Sequence, residues 1–162
     1  MNPTTPQSVG DACILYAEDE EHDIFFFRRA LRLSGSPCIL SAVPDGEKVI
    51  EYLAGDGAFA DRSQYPLPVL ILLDINMPKK SGLEALQWIR QQPDFKTLPV
   101  LMFTSSTREE DMNSARQLGA DEYLLKPSDP LELTEIIRKF HGRWLPHLFN
   151  SPEHRSFNYQ QS

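Results

Sequence analysis

Short apolar runs alternate along the chain with longer stretches in which apolar residues recur every three or four positions. The short runs are four to six residues long and predict strands at residues 13–17, 38–43, 69–73, 100–103 and 122–125. The run at 69–73 reads VLILL, and a continuously apolar sequence of this kind is typical of a central parallel strand that is buried on both faces. We therefore expect a sheet whose middle strands are enclosed by helices.

The longer stretches between the strands have the spacing of amphipathic helices. The clearest pattern is the last one, in which apolar residues fall at positions i, i+3, i+4 and i+7. The five apolar sets are Ile24, Phe27 and Leu31; Val49, Ile50 and Leu53; Leu83, Leu86 and Ile89; Met112, Ala115 and Leu118; and Leu133, Ile136, Ile137 and Phe140. Strands that alternate with helices in this way predict an α/β domain, with a five-stranded, mostly parallel sheet and helices on both faces.

Local signals at the ends of these stretches agree with the predicted helices. Thr107, with Glu110 three residues later, predicts a capping box at the start of the fourth helix. An Asp-Pro pair at 129–130 places a capping residue before a proline, which suits the first turn of the fifth helix. Gly55 and Gly119 are expected to end the second and fourth helices.

The chain of 162 residues is long enough for one domain of ordinary size. Residues 1–10 lack apolar periodicity and predict a flexible leader, and the domain proper is predicted at residues 11–141. The connection at 55–68 is unusually long, and a loop of this length is more often functional or mobile than neutral. The tail at 142–162 contains apolar residues that would be exposed in isolation, so we expect them to fold back on the domain or to contact a partner.

Composition excludes several functions. The formal net charge is -7, with ten acidic and four basic residues among the first 60, whereas binding of a nucleic-acid backbone requires clustered Lys and Arg. No run of consecutive hydrophobic residues is longer than six, far fewer than the ~20 that cross a bilayer. The N-terminal residues have neither a basic head nor an apolar stretch, so we expect no secretory signal and a cytoplasmic location.

The cysteines and histidines form no metal or redox pattern in the sequence. Cys13 and Cys38 each lie in an apolar segment, where a buried thiol without a redox role is expected. The histidines show no pair at metal-ligand spacing, and we expect all four at the surface: His22, His141, His147 and His154.

Polar side chains follow four of the five predicted strands at the point where each strand ends. In an open parallel α/β sheet these ends meet at one edge, which is where ligands bind. The residues are Glu18 and Asp19 after the first strand, Asp74 and Asn76 after the third, Thr104, Ser105 and Ser106 after the fourth, and Lys126 after the fifth. Three further acids are interpreted as the solvated first turn of a helix: Glu20, Glu21 and Asp23.

Carboxylates crowded at this edge require a cation. Two unit charges ~4 Å apart repel by about 4 kcal/mol at an effective dielectric near 20. Mg²⁺ prefers oxygen ligands, and we expect Asp19 and Asp74 to bind it, with Glu18 acting directly or through water. Lys126 would add a second positive charge. The chain contains no Gly-rich phosphate loop, so a mechanism based on a bound nucleoside triphosphate is not supported.

Four segments around these residues resemble a known family: residues 14–19 (ILYAED), 72–78 (LLDINMP, followed by Ser81 and Gly82), 103–106 (FTSS) and 119–127 (GADEYLLKP). Together they make residues 11–141 resemble a receiver domain of two-component response regulators, similar to the bacterial chemotaxis regulator. The resemblance implies a doubly wound, flavodoxin-like parallel sheet with the strand order 2-1-3-4-5.

The resemblance also implies a chemical role for the acids. Asp74 would be the phosphoacceptor, taking a phosphoryl group from the phosphohistidine of a sensor histidine kinase. With Lys126 it would form the catalytic pair. The implied ligands of Mg²⁺ are the carboxylates of Glu18, Asp19 and Asp74 and the backbone carbonyl of Asn76.

The remaining residues at the edge would bind and report the phosphoryl group. Thr104 and Lys126 would each contact a phosphoryl oxygen, where charge grows during the transfer. Ser105 and Ser106 would leave the acceptor open to a donor protein. Tyr123 would act as a switch that turns inward when Thr104 moves toward the phosphate.

Within that family, the chain is most similar to stand-alone cyanobacterial phytochrome response regulators. Four features support this: the Glu-Asp pair at 18–19 in place of Asp-Asp, the long connection at 55–68, the KKSG turn at 79–82 with Leu-Pro-Val before the fourth strand, and no effector domain after residue 141. The expected partners are a sensor histidine kinase, with a phytochrome as the candidate, and an unidentified downstream protein. We also expect a homodimer through the fourth helix, fifth strand, fifth helix and tail.

Other functions stay open. An Mg²⁺-dependent phosphatase with an aspartate nucleophile also uses a strand-end Asp, but Asn76 stands where its second acid would lie. A pseudo-receiver would bind partners without phosphate, and the intact Asp74, Thr104 and Lys126 argue against it. A DNA-binding regulator would require a further domain, for which the residues after 141 are too few. We expect a signalling protein rather than an enzyme, one that assists only its own phosphorylation and dephosphorylation.

Overall fold

The computed structural model describes residues 12–149. Within this range one parallel sheet has the order β2-β1-β3-β4-β5, which confirms the predicted α/β fold and its strand order. The strands are β1 (Cys13–Ala17), β2 (Ile39–Val43), β3 (Leu70–Leu73), β4 (Val100–Thr104) and β5 (Glu122–Leu125). The helices are α1 (Glu21–Leu33), α2 (Gly46–Ala54), α3 (Gly82–Gln91), α4 (Glu109–Leu118) and α5 (Leu133–Trp144), with short 3-10 turns at Gly57–Phe59, Pro93–Phe95, Pro130–Glu132 and Pro146–Phe149.

Two hydrophobic clusters lie on opposite faces of the sheet. β1, β3 and β4 are buried along their whole length, and alternate residues of each point to opposite faces. Ile14 and Tyr16 of β1 belong to the cluster covered by α1 and α5, whereas Leu15 and Ala17 belong to the cluster covered by α2, α3 and α4. The carboxyl ends of these enclosed central strands lie at the same edge of the sheet, and β4 extends two residues beyond the partner of Leu73. Among residues 12–149 no helix is long and apolar enough to cross a bilayer.

The helix ends agree with the predictions at most positions. Gly55 and Gly119 have left-handed backbone angles, with φ of 72° and 95°, and end α2 and α4 as predicted. Asp129 accepts a hydrogen bond from the Leu131 backbone N–H and caps the turn that leads into α5.

The predicted capping box at Thr107 and Glu110 is wrong. The residue before α4 is Arg108, and no side chain caps this helix. The hydroxyl of Ser106 accepts a hydrogen bond from the Arg108 N–H and donates one to Asp111 at 2.5 Å, so the loop before α4 is organised one residue earlier. A capping box does occur at α3, between Ser81 and Glu84.

The long connection at 55–68 is packed against α2. Arg62 donates hydrogen bonds to the carbonyl oxygens of Tyr52 and Leu53 at 2.8 and 2.9 Å, at the end of that helix. The rings of Phe59 and Tyr65 lie 5.1 Å apart and both contact the ring of Tyr52. A guanidinium cap and an aromatic cluster therefore hold this loop to the domain.

The C-terminal helix continues past the predicted boundary at 141. α5 ends at Trp144, and Leu145 and Leu148 are buried in the cluster beneath α1 and α5. These apolar residues therefore fold back on the domain, one of the two outcomes expected for the tail. The predicted leader at 1–10, the tail beyond residue 149 and His154 lie outside the described residues.

His141 is fully buried in α5, so the predicted surface position is wrong for this histidine. Its Nε2 lies 2.8 Å from Ser36 Oγ and 3.6 Å from Cys38 Sγ, between α1 and β2. Burial lowers the pKa of His141 to about 4. The other histidines within the described range are exposed as predicted: His22 and His147.

Candidate functional site

The carboxyl ends of four neighbouring strands bring the predicted site residues together. Ala17 of β1 pairs with Leu73 of β3, and Thr104 of β4 pairs with Leu125 of β5. The residues that follow or end these strands therefore meet at one edge of the sheet, as expected. They are Glu18, Asp74, Thr104 and Lys126.

Three carboxylates form a compact cluster at this edge. Glu18, Asp19 and Asp74 each offer an oxygen atom, and these atoms lie within 4.8 Å of one another. Glu18 and Asp74 are buried, whereas Asp19 is exposed. Oxygen atoms this close suit a hard divalent cation, and Mg²⁺ commonly binds through one or two carboxylates while keeping several waters.

The positively charged ammonium of Lys126 contacts two carboxylates of this cluster, those of Glu18 and Asp74. Its Nζ donates hydrogen bonds to Asp74 Oδ2 at 2.9 Å, to Asp23 Oδ2 at 3.0 Å and to Glu18 Oε2. Burial opposes the charged form, but the hydrogen bonds to Glu18 and Asp74 prevail and raise the pKa of Lys126 above its ordinary value. The ammonium is therefore held charged between three acids.

Glu18 is held by several donors. Its Oε1 accepts from the Glu20 N–H at 3.1 Å, and its Oε2 accepts from the Tyr16 hydroxyl at 3.4 Å. Burial raises the pKa of Glu18 to about 7, although contact with Lys126 lowers it. One lysine therefore does not fully offset the cost of burying this carboxylate, which is the condition under which a further cation is favoured.

The loop between β3 and α3 fixes the Asp74 carboxyl group. Asp74 Oδ1 accepts a hydrogen bond from the Ile75 N–H at 2.7 Å, and Gly82 donates its N–H to the Ile75 carbonyl at 3.0 Å. A Cβ atom at Gly82 would lie only 1.9 Å from the Asp74 carbonyl oxygen, so glycine is required for this approach. Asn76 is exposed in the same loop, and its carbonyl as a metal ligand stays a prediction.

The end of β4 and the following loop carry the other predicted contacts. Thr104 is fully buried, and its Oγ1 accepts a hydrogen bond from the Ser106 N–H at 3.2 Å. Tyr123 is half-buried and donates its hydroxyl to the Ser106 carbonyl at 2.9 Å. Ser105 is exposed beside them. A hydrogen-bonded chain therefore links the threonine, the loop and the tyrosine.

Sequence reasoning missed two residues of the site. Asp23 was interpreted as a solvated acid, but its carboxylate contacts Lys126. It lies in the first turn of α1, four residues after Asp19, and this closeness to the strand-end acids is the signal that could have identified it. Tyr16, which contacts Glu18, was predicted only as part of a buried strand.

A cavity of about 150 Å³ lies beside the Lys126 side chain. Its polar lining includes Asp23 and Lys126, and its apolar lining includes Phe26, Phe103 and Leu133. The side chain of Lys126 is therefore not tightly packed on all sides.

Comparisons with known proteins agree with this geometry. The family model for the response regulator receiver domain matches residues 14–138. Response regulator Rcp1 of Synechocystis sp. is 33% identical over 132 residues, covering 82% of this chain and 88% of that protein. The solved structure of the phosphorylated cyanobacterial phytochrome response regulator RcpA has a TM-score of 0.77 and 32% identity, covering 84% of this chain and 95% of that chain. The Mn²⁺-bound form of response regulator Rcp1 has a TM-score of 0.74 and 32% identity, covering 83% and 95% of the two chains.

Proposed function

The chain belongs to the response-regulator receiver family, and we propose that it is a signalling protein switched by phosphorylation of Asp74. The observation that best supports this proposal is the position of the Asp74 carboxylate. It lies in the acidic cluster on one side and 2.9 Å from the Lys126 ammonium on the other. Phosphoryl transfer depends on positioning and on offsetting the charge of the transferred group, and this arrangement can do both.

The proposed reaction is a direct transfer to the carboxylate. A carboxylate oxygen of Asp74 forms a bond to phosphorus, and the phosphorus–nitrogen bond of the kinase phosphohistidine breaks. The bonding electron pair leaves with the histidine ring, so Asp74 has to lose no proton. The Ile75 N–H, which donates to Asp74 Oδ1 at 2.7 Å, orients the carboxyl group for this step.

The donor set of the cluster fits Mg²⁺. Three carboxylate oxygens lie within 4.8 Å of one another, and burial raises the pKa of Glu18 even though Lys126 contacts it. In the proposal Glu18, Asp19 and Asp74 hold the ion together with the Asn76 carbonyl. When bound, the ion supplies positive charge against the repulsion between these carboxylates and a phosphoryl group. The similarity to the Mn²⁺-bound form of Rcp1 supports binding of a divalent cation.

Phosphorylation would then be read out through Thr104 and Lys126. A phosphoryl group adds about two negative charges and three strong acceptors. In the proposal Thr104 donates its hydroxyl to one phosphoryl oxygen and Lys126 donates to another. Since Thr104 also accepts from Ser106, whose carbonyl holds Tyr123 at 2.9 Å, this movement would release Tyr123 and change the surface around α4 and β5.

We propose a sensor histidine kinase as the phosphoryl donor and an unidentified protein as the downstream target. The similarity to RcpA supports a phytochrome as that kinase. The kinase draws its phosphoryl group from ATP, and the proposal therefore places the protein in the cytoplasm. Phosphotransfer profiling against the histidine kinases of the source genome tests this. Preferential transfer from a phytochrome kinase is expected, and preference for an unrelated kinase contradicts the phytochrome assignment.

We further propose a homodimer through α4, β5 and α5. Leu125 at the end of β5 is 45% exposed, which leaves apolar surface on this face. Analytical ultracentrifugation of the full chain and of a chain lacking residues 150–162 tests whether the protein dimerises and whether the tail contributes to the dimer. The deletion starts at 150 because Leu145 and Leu148 are buried. A dimer that the deletion weakens is expected, and a monomer in both samples contradicts the proposal.

Labelling with a small phosphoryl donor tests the acceptor. Wild-type protein incubated with radiolabelled acetyl phosphate and Mg²⁺ should acquire label that alkali or hydroxylamine removes, as expected for an acyl phosphate. Asp74→Asn should abolish the label, and Asp94→Asn, an exposed acid after α3, should leave it unchanged. Label that persists in Asp74→Asn, or that is stable to hydroxylamine, shows that the acceptor is a different residue.

A further inference from the structure

The ammonium of Lys126 donates hydrogen bonds to three carboxylates that differ in solvent exposure. A lysine ammonium has three N–H groups, and Lys126 contacts Glu18, Asp23 and Asp74. The side chains of Glu18 and Asp74 are 1% and 10% exposed, whereas that of Asp23 is 43% exposed. Asp23 is thus the acid from α1 that shares the ammonium with the two buried carboxylates.

A phosphoryl group on Asp74 would take over the donor that now contacts the Asp74 carboxylate, and a second contact with a phosphoryl oxygen would need the donor of Glu18 or of Asp23. Glu18 is 1% exposed, so loss of its contact with Lys126 would leave Mg²⁺ alone to offset the charge of a buried carboxylate, which is costly. Loss of the Asp23 contact costs less, because water can solvate a carboxylate whose side chain is 43% exposed. The Asp23 pair is therefore the contact that gives way when Lys126 turns toward a phosphoryl oxygen.

We propose that Asp23 is a positioning residue that acts through Lys126 and favours the unphosphorylated state of Asp74. This inference rests on the proposed function. In the unphosphorylated protein Lys126 donates to Asp23 at 3.0 Å, and this interaction competes with contacts between the ammonium and phosphoryl oxygens. Asp23 therefore lowers the stability of the phosphorylated state relative to the unphosphorylated state.

The surroundings of Lys126 allow this movement. The cavity of about 150 Å³ beside the lysine is bordered by Asp23 and Phe103, so the side chain is not enclosed on that side. The contact also joins α1 to the segment after β5, and its loss on phosphorylation would free the start of α1 from the site.

Fluoroberyllate is a non-covalent analogue of the phosphoryl group on a carboxylate. Its affinity measures, at equilibrium, how strongly Asp23 disfavours the phosphorylated state. Fluorine NMR titrations with excess Mg²⁺ are run on wild type, Asp23→Asn and Glu21→Gln. Glu21 lies in the same turn of α1, is exposed and undergoes the same change of charge, but it is not among the acids that contact Lys126. Asp23→Asn should bind the analogue about twofold to fivefold more tightly than wild type, the range expected for an ion pair with one solvent-accessible partner. Glu21→Gln should bind like wild type.

A double-mutant cycle separates an effect through Lys126 from a general effect of charge. In a Lys126→Gln background, Asp23→Asn should no longer change the affinity. The inference is overturned if Asp23→Asn binds like wild type, if Glu21→Gln tightens binding equally, or if the effect survives in Lys126→Gln. The comparison of Asp23→Asn with Glu21→Gln stands without the Lys126 variant should that protein fail to fold.

The same titrations distinguish failure of the inference from failure of the proposed function. Binding to wild type that Asp74→Asn abolishes supports Asp74 as the acceptor, whatever Asp23→Asn does. A wild-type protein that does not bind the analogue with Mg²⁺ contradicts the proposed function itself, and the role of Asp23 with it.

Discussion

The two ends of the sheet both bury ionisable side chains, but they hold them in different ways. At the carboxyl ends of the strands, Lys126 is hydrogen-bonded to Glu18 and Asp74. At the opposite end, His141 is fully buried beside Ser36 and Cys38. Burial lowers the pKa of His141 to about 4 and raises the pKa of the Cys38 thiol, so both groups are neutral near pH 7.

Burial without a partner of opposite charge keeps His141 and Cys38 neutral, whereas the acids around Lys126 keep its buried ammonium charged. Three carboxylates around one ammonium leave the site end with excess negative charge, to which a cation or a phosphoryl group can couple. The neutral histidine cluster offers no such charge. We refer to the end of the sheet where Lys126 lies as the site end and to the opposite end, where His141 lies, as the structural end. Variants at matched positions in the two ends can test whether only the site end couples to a cation or a phosphoryl group.

The largest difference in stability is expected when one methyl group is added at the site end and, in a second variant, at the structural end. A Cβ at Gly82 would lie 1.9 Å from the Asp74 carbonyl oxygen, whereas a Cβ at Gly142 in α5 meets nothing within 4 Å. Gly82→Ala should lower the free energy of unfolding by about 3 kcal/mol or more through overpacking. Gly142→Ala should raise it by up to about 1 kcal/mol through helix propensity. Urea unfolding measures both, and equal effects would refute the close packing of backbone at the site.

Removal of the Lys126 ammonium should give the next largest effect on stability. Without divalent cations, Lys126→Met should lower the free energy of unfolding by about 2–3 kcal/mol, because Glu18 and Asp74 lose their buried partner. Added Mg²⁺ should recover much of this loss. Arg143→Met, which removes the exposed ion pair with Glu122, should cost less than about 1 kcal/mol and show no recovery. Thermal unfolding with and without Mg²⁺ tests this, and recovery in both variants would argue against a site-specific effect.

Acid should destabilise the structural end. The pKa of His141 is about 4 in the folded protein, below the ordinary value of 6.5, so the unfolded chain binds the proton more readily. Its contribution to stability is complete above pH 6.5 and is lost as the pH falls toward 4, by roughly 1–2 kcal/mol at pH 5. Urea unfolding at several pH values with Mg²⁺ present should show this loss in wild type and a smaller loss in His141→Gln. Parallel curves for the two proteins would disprove the assignment to His141.

Without metal, the site end should respond to pH in the opposite sense. Burial raises the pKa of Glu18 to about 7, above its ordinary value of 4.5, so the folded protein gains stability as the pH falls between these values. Glu18→Gln should remove this gain, and so should Mg²⁺, since it favours the ionised carboxylate. A Glu18→Gln protein with the pH dependence of wild type in metal-free solution would contradict the account of the buried carboxylate.

The fold and most of the site could be predicted because their signals are local in the sequence. The run VLILL marks β3 as a central strand, and Asp74 follows it directly. Once the strands are parallel, the residues at their carboxyl ends must meet at one edge, so Glu18, Thr104 and Lys126 are placed with Asp74 without further information.

The errors concern contacts that depend on packing between distant elements. Burial of His141 requires α5 to lie against the turn before β2, more than 100 residues away along the chain. The contact between Asp23 and Lys126 depends likewise on how α1 is oriented above the end of β5. Thr107 has the residue type of a cap, but the interaction of Ser106 with Asp111 organises the loop before α4 instead. Residue type and spacing do not report these orientations.

Chemical trapping of the phosphorylated side chain tests the central claim most directly. Borohydride reduces an acyl phosphate to an alcohol, so an aspartyl phosphate is converted to homoserine. After treatment with acetyl phosphate, Mg²⁺ and borohydride, peptide mass spectrometry should find homoserine at position 74 and unmodified aspartate and glutamate at positions 18, 19 and 23. Homoserine at another position, or phosphate on a serine or histidine with Asp74 intact, would contradict Asp74 as the phosphoacceptor.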